Sequence, residues 1–478
     1  MDAQRIVARR AVIGLPKDGL TPAFERDFAQ YPPAGVIIFA RDFRDLDDLR
    51  RLTTRLRELA GQRRLFLTLD EEGGWVSQLA GHLVVPPNAA LLARGSEPGD
   101  LAYVAGVTAR RLRALGFEWD FAPVADVASE PDNPVIGPRA YGTDPAAVAA
   151  AVGEIVRAFR SAGVASCLKH FPGHGDTRLD SHLTLPAIDA DEALLNTREL
   201  APFRANLDAD SIMTAHVIVR ALDAARPATF SPRIVHTLLR ETLGYQGIAI
   251  TDALEMQGAS GERGEGEAGR LALEAGCDLL LFAHWDEDVR RARLAIADAI
   301  VDGPFDRTYL DLSRPRLAAF DAARAVPSAS ELSAPLESLT PPDWESRLEA
   351  IITRGLRIDG VLPAAAVQGG WRVSEAEYKH GAPLAADLAA AGVQGGGGAP
   401  SAQVIAVSSR VPLTAEAIAD LRARSAQMPT VLVGLQSDAF LAQVPEAALR
   451  VSASDQTPLT RRVVARVLAG MRAQAATA

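Results

Sequence analysis

The chain has 478 residues, 48% apolar and 23% charged, an ordinary soluble composition with room for two domains, one of them large. A formal net charge of −10 argues against bulk attraction to nucleic acid or anionic membrane. No run approaches the roughly 20 apolar residues that a membrane-spanning helix needs.

Met1 to Arg10 lacks the continuous apolar region of a secretory signal. Cys167 and Cys277 sit in or beside apolar runs without metal-ligand spacing, as core thiols of a reducing compartment do. The expected location is the cytoplasm, with neither nucleic acid nor membrane as partner.

Short apolar runs alternate with amphipathic stretches up to residue 325. The predicted strands are Ala11–Gly14, Gly35–Phe39, Leu65–Leu69, Phe117–Ala122, Val164–Leu168, Ser211–Met213, Gly247–Ile250 and Asp278–Phe282. Each has the length and continuous hydrophobicity of a buried parallel strand. Between them, Leu46, Leu49, Leu52, Leu56 and Leu59 mark one helix over Leu46–Ala60. Ala146–Ser161 and Pro232–Leu243 read as others, the last with Ser231 as N-cap and Pro232 in the first turn. The alternation fits an α/β fold of the (β/α)8 TIM-type barrel class. No G-x-G-x-x-G follows the first strand, which weakens a dinucleotide-binding sheet.

Barrel enzymes put their chemistry where strands end. Here Leu65–Leu69 runs into Asp70-Glu71-Glu72-Gly73-Gly74, and Val164–Leu168 into Lys169-His170. Ser211–Met213 runs into Thr214-Ala215-His216, and Gly247–Ile250 into Thr251-Asp252. Four strands thus end in polar, mostly ionisable residues on one side, whereas loop solvation alone would scatter them over both. The domain division expected is a catalytic barrel over 1–325, a linker of Ser, Pro and Glu over 326–344, and a smaller sandwich-like α/β domain over 345–478. In the last, Gln403–Val407 and Thr430–Leu435 read as strands, and Thr414–Arg424 and Pro458–Leu468 as helices. Gly395 to Gly398 has no strand-to-helix context and reads as a loop.

The densest chemistry is Lys169 to His182, with three histidines, two aspartates and a lysine in fourteen residues. Such groups must be solvated or paired at a strand end. His170, His174 and Asp176 offer metal-type donors, but Pro172 and two glycines prevent helical presentation and no second ligand cluster stands out, so no metal or cofactor is expected. A serine nucleophile would need a G-x-S-x-G elbow, which is missing. The remaining chemistry is a carboxylate nucleophile with a general acid/base, as in retaining glycoside cleavage. Asp252 is the natural nucleophile. His182 titrates near neutrality and suits the acid/base role, with Asp180 orienting its imidazole. Lys169 and His170 would hydrogen-bond sugar hydroxyls.

These segments resemble the β-N-acetylhexosaminidase branch of glycoside hydrolase family 3. Lys-His-Phe-Pro-Gly-His-Gly-Asp-Thr (169–177) and Asp-Ser-His (180–182) look like its signature. Gly35–Phe39, Asp70–Gly74, Asp120–Val124, Val135–Tyr141, Met213–His216 and Thr251–Met256 agree in the family's order. The resemblance implies a barrel and a retaining mechanism through a glycosyl-Asp252 intermediate with an Asp180–His182 dyad. It also implies Asp70, Arg139, Lys169, His170 and His216 as substrate-binding residues. The substrate implied is a β-N-acetylglucosaminide, muropeptide fragments included, in peptidoglycan turnover or recycling.

The chain departs from the family pattern at Trp75 and Gln78, which stand where arginines are common. A cationic fork for sugar oxygens or an acidic aglycone is thereby lost. A phosphorylase on the same site and a family-3 glycosidase of other sugar specificity are the rival readings. From another class comes a non-catalytic sugar-binding paralogue, against which the retention of Asp252, Asp180 and His182 argues.

Overall fold

The computed structural model describes residues 3–179, 185–261, 263–303, 305–368, 370–376, 384–393 and 400–477. Asp180 and His182 lie outside the described residues, as do Gly395 to Gly398.

Eight parallel strands form the larger sheet: β1 (Ala11–Ile13), β2 (Gly35–Ile37), β3 (Phe66–Leu69), β4 (Trp119–Asp120), β5 (Cys167–Phe171), β6 (Ser211–Thr214), β7 (Ile248–Ala253) and β8 (Leu279–Phe282). Their order is β4-β3-β2-β1-β8-β7-β6-β5. Parallel bridges Trp119–Ala165 and Val124–Lys169 join the two ends, so the sheet closes into a barrel. All eight predicted strands are present, although β5 lies three residues later than the expected Val164–Leu168 and includes Lys169 and His170. β4 is shorter than the apolar run Phe117–Ala122, because its pairing with β5 continues as isolated bridges rather than a regular ladder.

The runs are continuously apolar because both strand faces are buried. On β1, Val12 points into the barrel with Ile37, Phe66, Trp119, Met213, Ile250 and Leu281. Its neighbours Ala11 and Ile13 face outward against the surrounding helices. Phe320, from helix Arg314–Ala323, joins the interior cluster and packs 4.8 Å from the Phe66 ring.

Helix Leu46–Ala60 forms as its pattern predicts. Asp45 accepts from the Asp48 amide at the start, and Gly61, at φ +63°, ends it. The Pro232–Leu243 prediction needs correcting in kind. Residues Arg233–Thr242 form a wider helix, with the Leu243 N–H bonded to the Leu238 carbonyl five residues back.

The Ser/Pro-rich stretch after residue 325 packs along the barrel. Ser328 and Glu331 form a capping box, Arg113 grips Glu331 at 2.8 Å, and Leu339 is buried.

The second sheet has strands β9 (Arg357–Gly360), β10 (Trp371–Ala376), β11 (Ala402–Val407), β12 (Thr430–Gly434) and β13 (Leu449–Ser452), in the order β9-β13-β12-β11-β10. Only the β9–β13 pair is antiparallel. Helical residues Leu384, Leu388, Val464 and Leu468 cover one face, and Ile418, Leu421 and Phe440 the other. It is a layered α/β domain beside a TIM-type barrel.

The domains meet through Trp344–Gly355, a helix buried between Ala89–Gly95 of the barrel side and Pro458–Thr477. Gly95 permits the closest approach, since a Cβ there would stand 1.9 Å from the Ile351 carbonyl oxygen.

Candidate active site

The carboxyl ends of the barrel strands surround a cavity of about 570 Å³. Its wall includes Asp70, Glu72, Trp75, Arg139, Lys169, His170, His174, Asp252, Glu255 and Arg410. Asp70 follows β3, Lys169 and His170 lie in β5, and Asp252 lies in β7.

Both chemistry-bearing strands are irregular there. The β5–β6 register shifts between Leu168 and Phe171, and the β7–β8 register between Ile250 and Ala253. A shift of this kind re-aims side chains that a regular pleat would send elsewhere. The Ala253 N–H donates to Asp252 Oδ1 at 2.7 Å, which fixes the carboxylate's orientation.

Lys169 is buried, so its charge must be matched. Its Nζ lies 2.6 Å from Asp70 Oδ1 and 2.5 Å from Glu72 Oε1. Arg139 closes the network with a bidentate pair on Glu72, at 2.8 and 2.7 Å. Burial alone would raise the Glu72 carboxyl, but Arg139 and Lys169 overcome it and hold the group at about 2. Burial would likewise lower Lys169, yet Asp70 and Glu72 push it above its ordinary value. The network is charged, and it presents donors and acceptors together, an array that sugar hydroxyls can use.

His170 is oriented by Asp126, whose Oδ2 is 2.7 Å from Nδ1. The same carboxylate accepts from the backbone N–H groups of His170 and His174. Since a carboxylate only accepts, Nδ1 carries a proton, and Nε2 is the ring nitrogen left to face a ligand.

The three metal-like residues all have other partners. His170 holds Asp126, His174 Nδ1 is 2.9 Å from Thr177 Oγ1, and Arg198 donates to Asp176 Oδ2 at 2.6 Å. Among the described residues no group of three or more His, Cys, Asp or Glu is arranged to hold a metal ion. His174 is pushed down to about 4 by burial and by neighbouring His170. It is a neutral wall of the cavity, and Asn133 ties its loop through the His174 and Gly175 carbonyls.

His216 is the sequence expectation that the structure relocates. It does not line the cavity. Its Nε2–H donates to the Ala253 carbonyl at 3.1 Å and Nδ1 meets Thr229 Oγ1 at 2.9 Å, so both ring nitrogens are already engaged. The ring is fully enclosed and held below its ordinary pKa by burial. Its place is behind the strand end that carries Asp252, where it supports the backbone. A strand-end motif alone does not distinguish a side chain facing the cavity from one facing its backing.

Four site residues went unassigned in the sequence. Glu72 sat inside a quoted motif, and Asp126 in the apolar run Phe121–Ala128, where a lone carboxylate signals a buried partner. Glu255 accepts from the Ala283 N–H and meets His284 Nδ1 at 3.0 Å, joining the ends of β7 and β8. Arg410 comes from the second domain and left no local signal.

A carboxylate at the end of β7, facing a buried network of paired charges across a cavity at the carboxyl end of a closed parallel barrel, is an arrangement suited to a carbohydrate-active barrel enzyme. The family model described as the glycosyl hydrolase family 3 N terminal domain matches residues 21–317, and the chain belongs to that family as a glycoside hydrolase. β-Hexosaminidase A of Pseudoalteromonas piscicida is 34% identical over 376 residues, which cover 72% of this chain and 62% of that protein, less than two thirds of its length. The β-hexosaminidase of Methylococcus capsulatus is 38% identical over 271 residues, covering 55% of this chain and 80% of its own. The solved structure of a glycoside hydrolase family 3 β-N-acetylglucosaminidase from Paenibacillus sp. str. FPU-7 superposes with a TM-score of 0.89 at 28% identity, over 98% of this chain and 96% of that one.

Proposed function

We propose that this enzyme is a retaining exo-β-N-acetylglucosaminidase that releases terminal β-linked N-acetylglucosamine. The observation that carries the reading is Asp252 at the end of β7, facing the same cavity as the Asp70–Lys169–Glu72–Arg139 network and His170. The β-hexosaminidase relatives supply the choice of sugar. In the proposed reaction Asp252 attacks the anomeric carbon as the bond to the leaving oxygen breaks, while His182 donates a proton to that oxygen. His182 then takes a proton from water, which attacks the same carbon and frees Asp252. Asp180 orients His182, and Asp70, Arg139, Lys169 and His170 hold the sugar. Cell-wall turnover in the cytoplasm is the role that the family resemblance supports.

Asp252→Ala should lower turnover of an aryl β-N-acetylglucosaminide by at least about a thousandfold, since no covalent intermediate can form. Undiminished turnover would remove Asp252 from the mechanism. The same assay run with and without inorganic phosphate separates hydrolysis, which yields free sugar, from phosphorolysis, which yields sugar 1-phosphate.

A further inference from the structure

The second domain reaches the catalytic cavity through the segment after β11. Arg410 and Val411 line the cavity beside Trp75. The Arg410 guanidinium carbon lies 4.8 Å from the centre of the Trp75 ring, in cation–π contact.

Both partners are held in place. Ser409 Oγ donates to the Val411 carbonyl at 2.8 Å, and the Ser437 N–H donates to the Ser409 carbonyl at 3.0 Å. On the barrel side, the Trp75 N–H donates to Asn88 Oδ1 at 3.0 Å. Asn88 is itself bonded to Asp455 and Ser454 of the second domain. Gly74 makes this turn possible: at φ +57°, a Cβ there would stand 1.7 Å from Asn88 Oδ1.

The charges differ in kind from the floor to the mouth of the cavity. On the floor Lys169 and Arg139 are neutralised by Asp70 and Glu72. At the mouth Arg410 is exposed, and among the described residues no carboxylate pairs with it. Partial burial of its guanidinium, and then the nearby Arg139, disfavour its charge. An exo-acting enzyme seats its terminal sugar on the floor and leaves the aglycone at the mouth. A cation held on an indole face, with no carboxylate among the described residues paired to it, complements a negative group there.

We infer that Trp75 and Arg410 together form an aglycone-binding element that selects β-N-acetylglucosaminides whose leaving group carries a carboxylate. The second domain therefore contributes specificity, and its cation lies over Trp75, one of the two positions where the family commonly has arginine. Trp75 supplies a flat surface for the aglycone, and Arg410 supplies the charge. The inference rests on the exo-acting reading above.

The test uses two aryl β-N-acetylglucosaminides that differ only in a ring carboxylate against a ring carboxamide. The full-length enzyme should prefer the carboxylate in kcat/KM. Arg410→Gln should reduce the carboxylate-to-carboxamide ratio about fivefold, the size expected for a partly exposed charge-assisted contact, chiefly through KM. Arg410→Lys should retain part of the preference and Arg410→Glu should reverse it. The wild-type ratio should also fall with added potassium chloride, which requires no variant to fold.

A ratio unchanged by both Arg410→Gln and salt overturns the inference and leaves Arg410 as packing for Trp75. If Arg410→Gln instead lowers only phosphate-dependent formation of sugar 1-phosphate, the cation serves free phosphate and the inference is again overturned. Failure to turn over either substrate defeats the exo-glycosidase reading separately. Binding of the corresponding thioglycosides, followed by tryptophan fluorescence, then still reads the pair: equal affinities in wild type and Arg410→Gln overturn it.

Discussion

Lys169 shows how one residue can be legible in kind and illegible in environment. Its place at a strand end is visible in the sequence. Its burial between Asp70 and Glu72 is not, because those carboxylates arrive from β3, about a hundred residues earlier. The network has a pH signature. The Glu72 carboxyl is held at about 2 against an ordinary 4.5, so its contribution is complete above pH 4.5 and is lost as pH falls from 4.5 towards 2. Asp126, also lowered, acts in the same direction. Glu71 and Glu199, pushed up to about 7 by burial, act oppositely and cost stability as pH rises from 4.5 to 7. In denaturant unfolding, Glu72→Gln should flatten the fall of stability between pH 4.5 and 2 relative to wild type. Parallel slopes would show that folding does not lower the Glu72 carboxyl below its ordinary value.

At the scale of the element, strands were more legible than their ends. The eight barrel strands are buried on both faces, which makes their apolar runs unmistakable. The β5 and β7 irregularities depend on neighbours and leave no local pattern. In the second domain, β11 and β12 were predicted because they are central and apolar. β9 and β10 are edge strands carrying Arg357, Asp359, Arg372 and Glu375, and β13 carries Arg450, so their polar residues masked them. The loop after β5 is shaped from below: a Cβ on Gly175 would stand 1.6 Å from the Val127 carbonyl oxygen. Gly175→Ala should therefore shift the segment leading to Asp180 and lower kcat/KM by about tenfold to a hundredfold. Full activity in that variant would show that the loop's path is not limiting.

On the scale of the whole molecule, the two domains share a core. Leu91, Leu92, Leu101 and Val104 pack with Trp344, Leu348, Ile351, Ile352, Leu459 and Val463. Asn88, bonded to Asp455 and Ser454, adds polar contacts across the same junction. Ile352→Ala should cost about 2–5 kcal/mol, seen as a lower midpoint of one calorimetric transition. Two separate transitions would mean that the domains unfold independently. The amino-acid sequence by itself determined the barrel, the polar strand ends, and Asp252 as the carboxylate proposed to react. These follow from local periodicity and from the cost of burying charge, both written along the chain. Only the tertiary structure decided that His216 backs the site instead of lining it, and that Lys169 is neutralised by two carboxylates. It alone brought Arg410 of the second domain onto Trp75 at the cavity mouth. Those outcomes depend on which side of a strand faces a ligand and on contacts between residues up to 335 positions apart (Trp75 and Arg410), which no local pattern encodes.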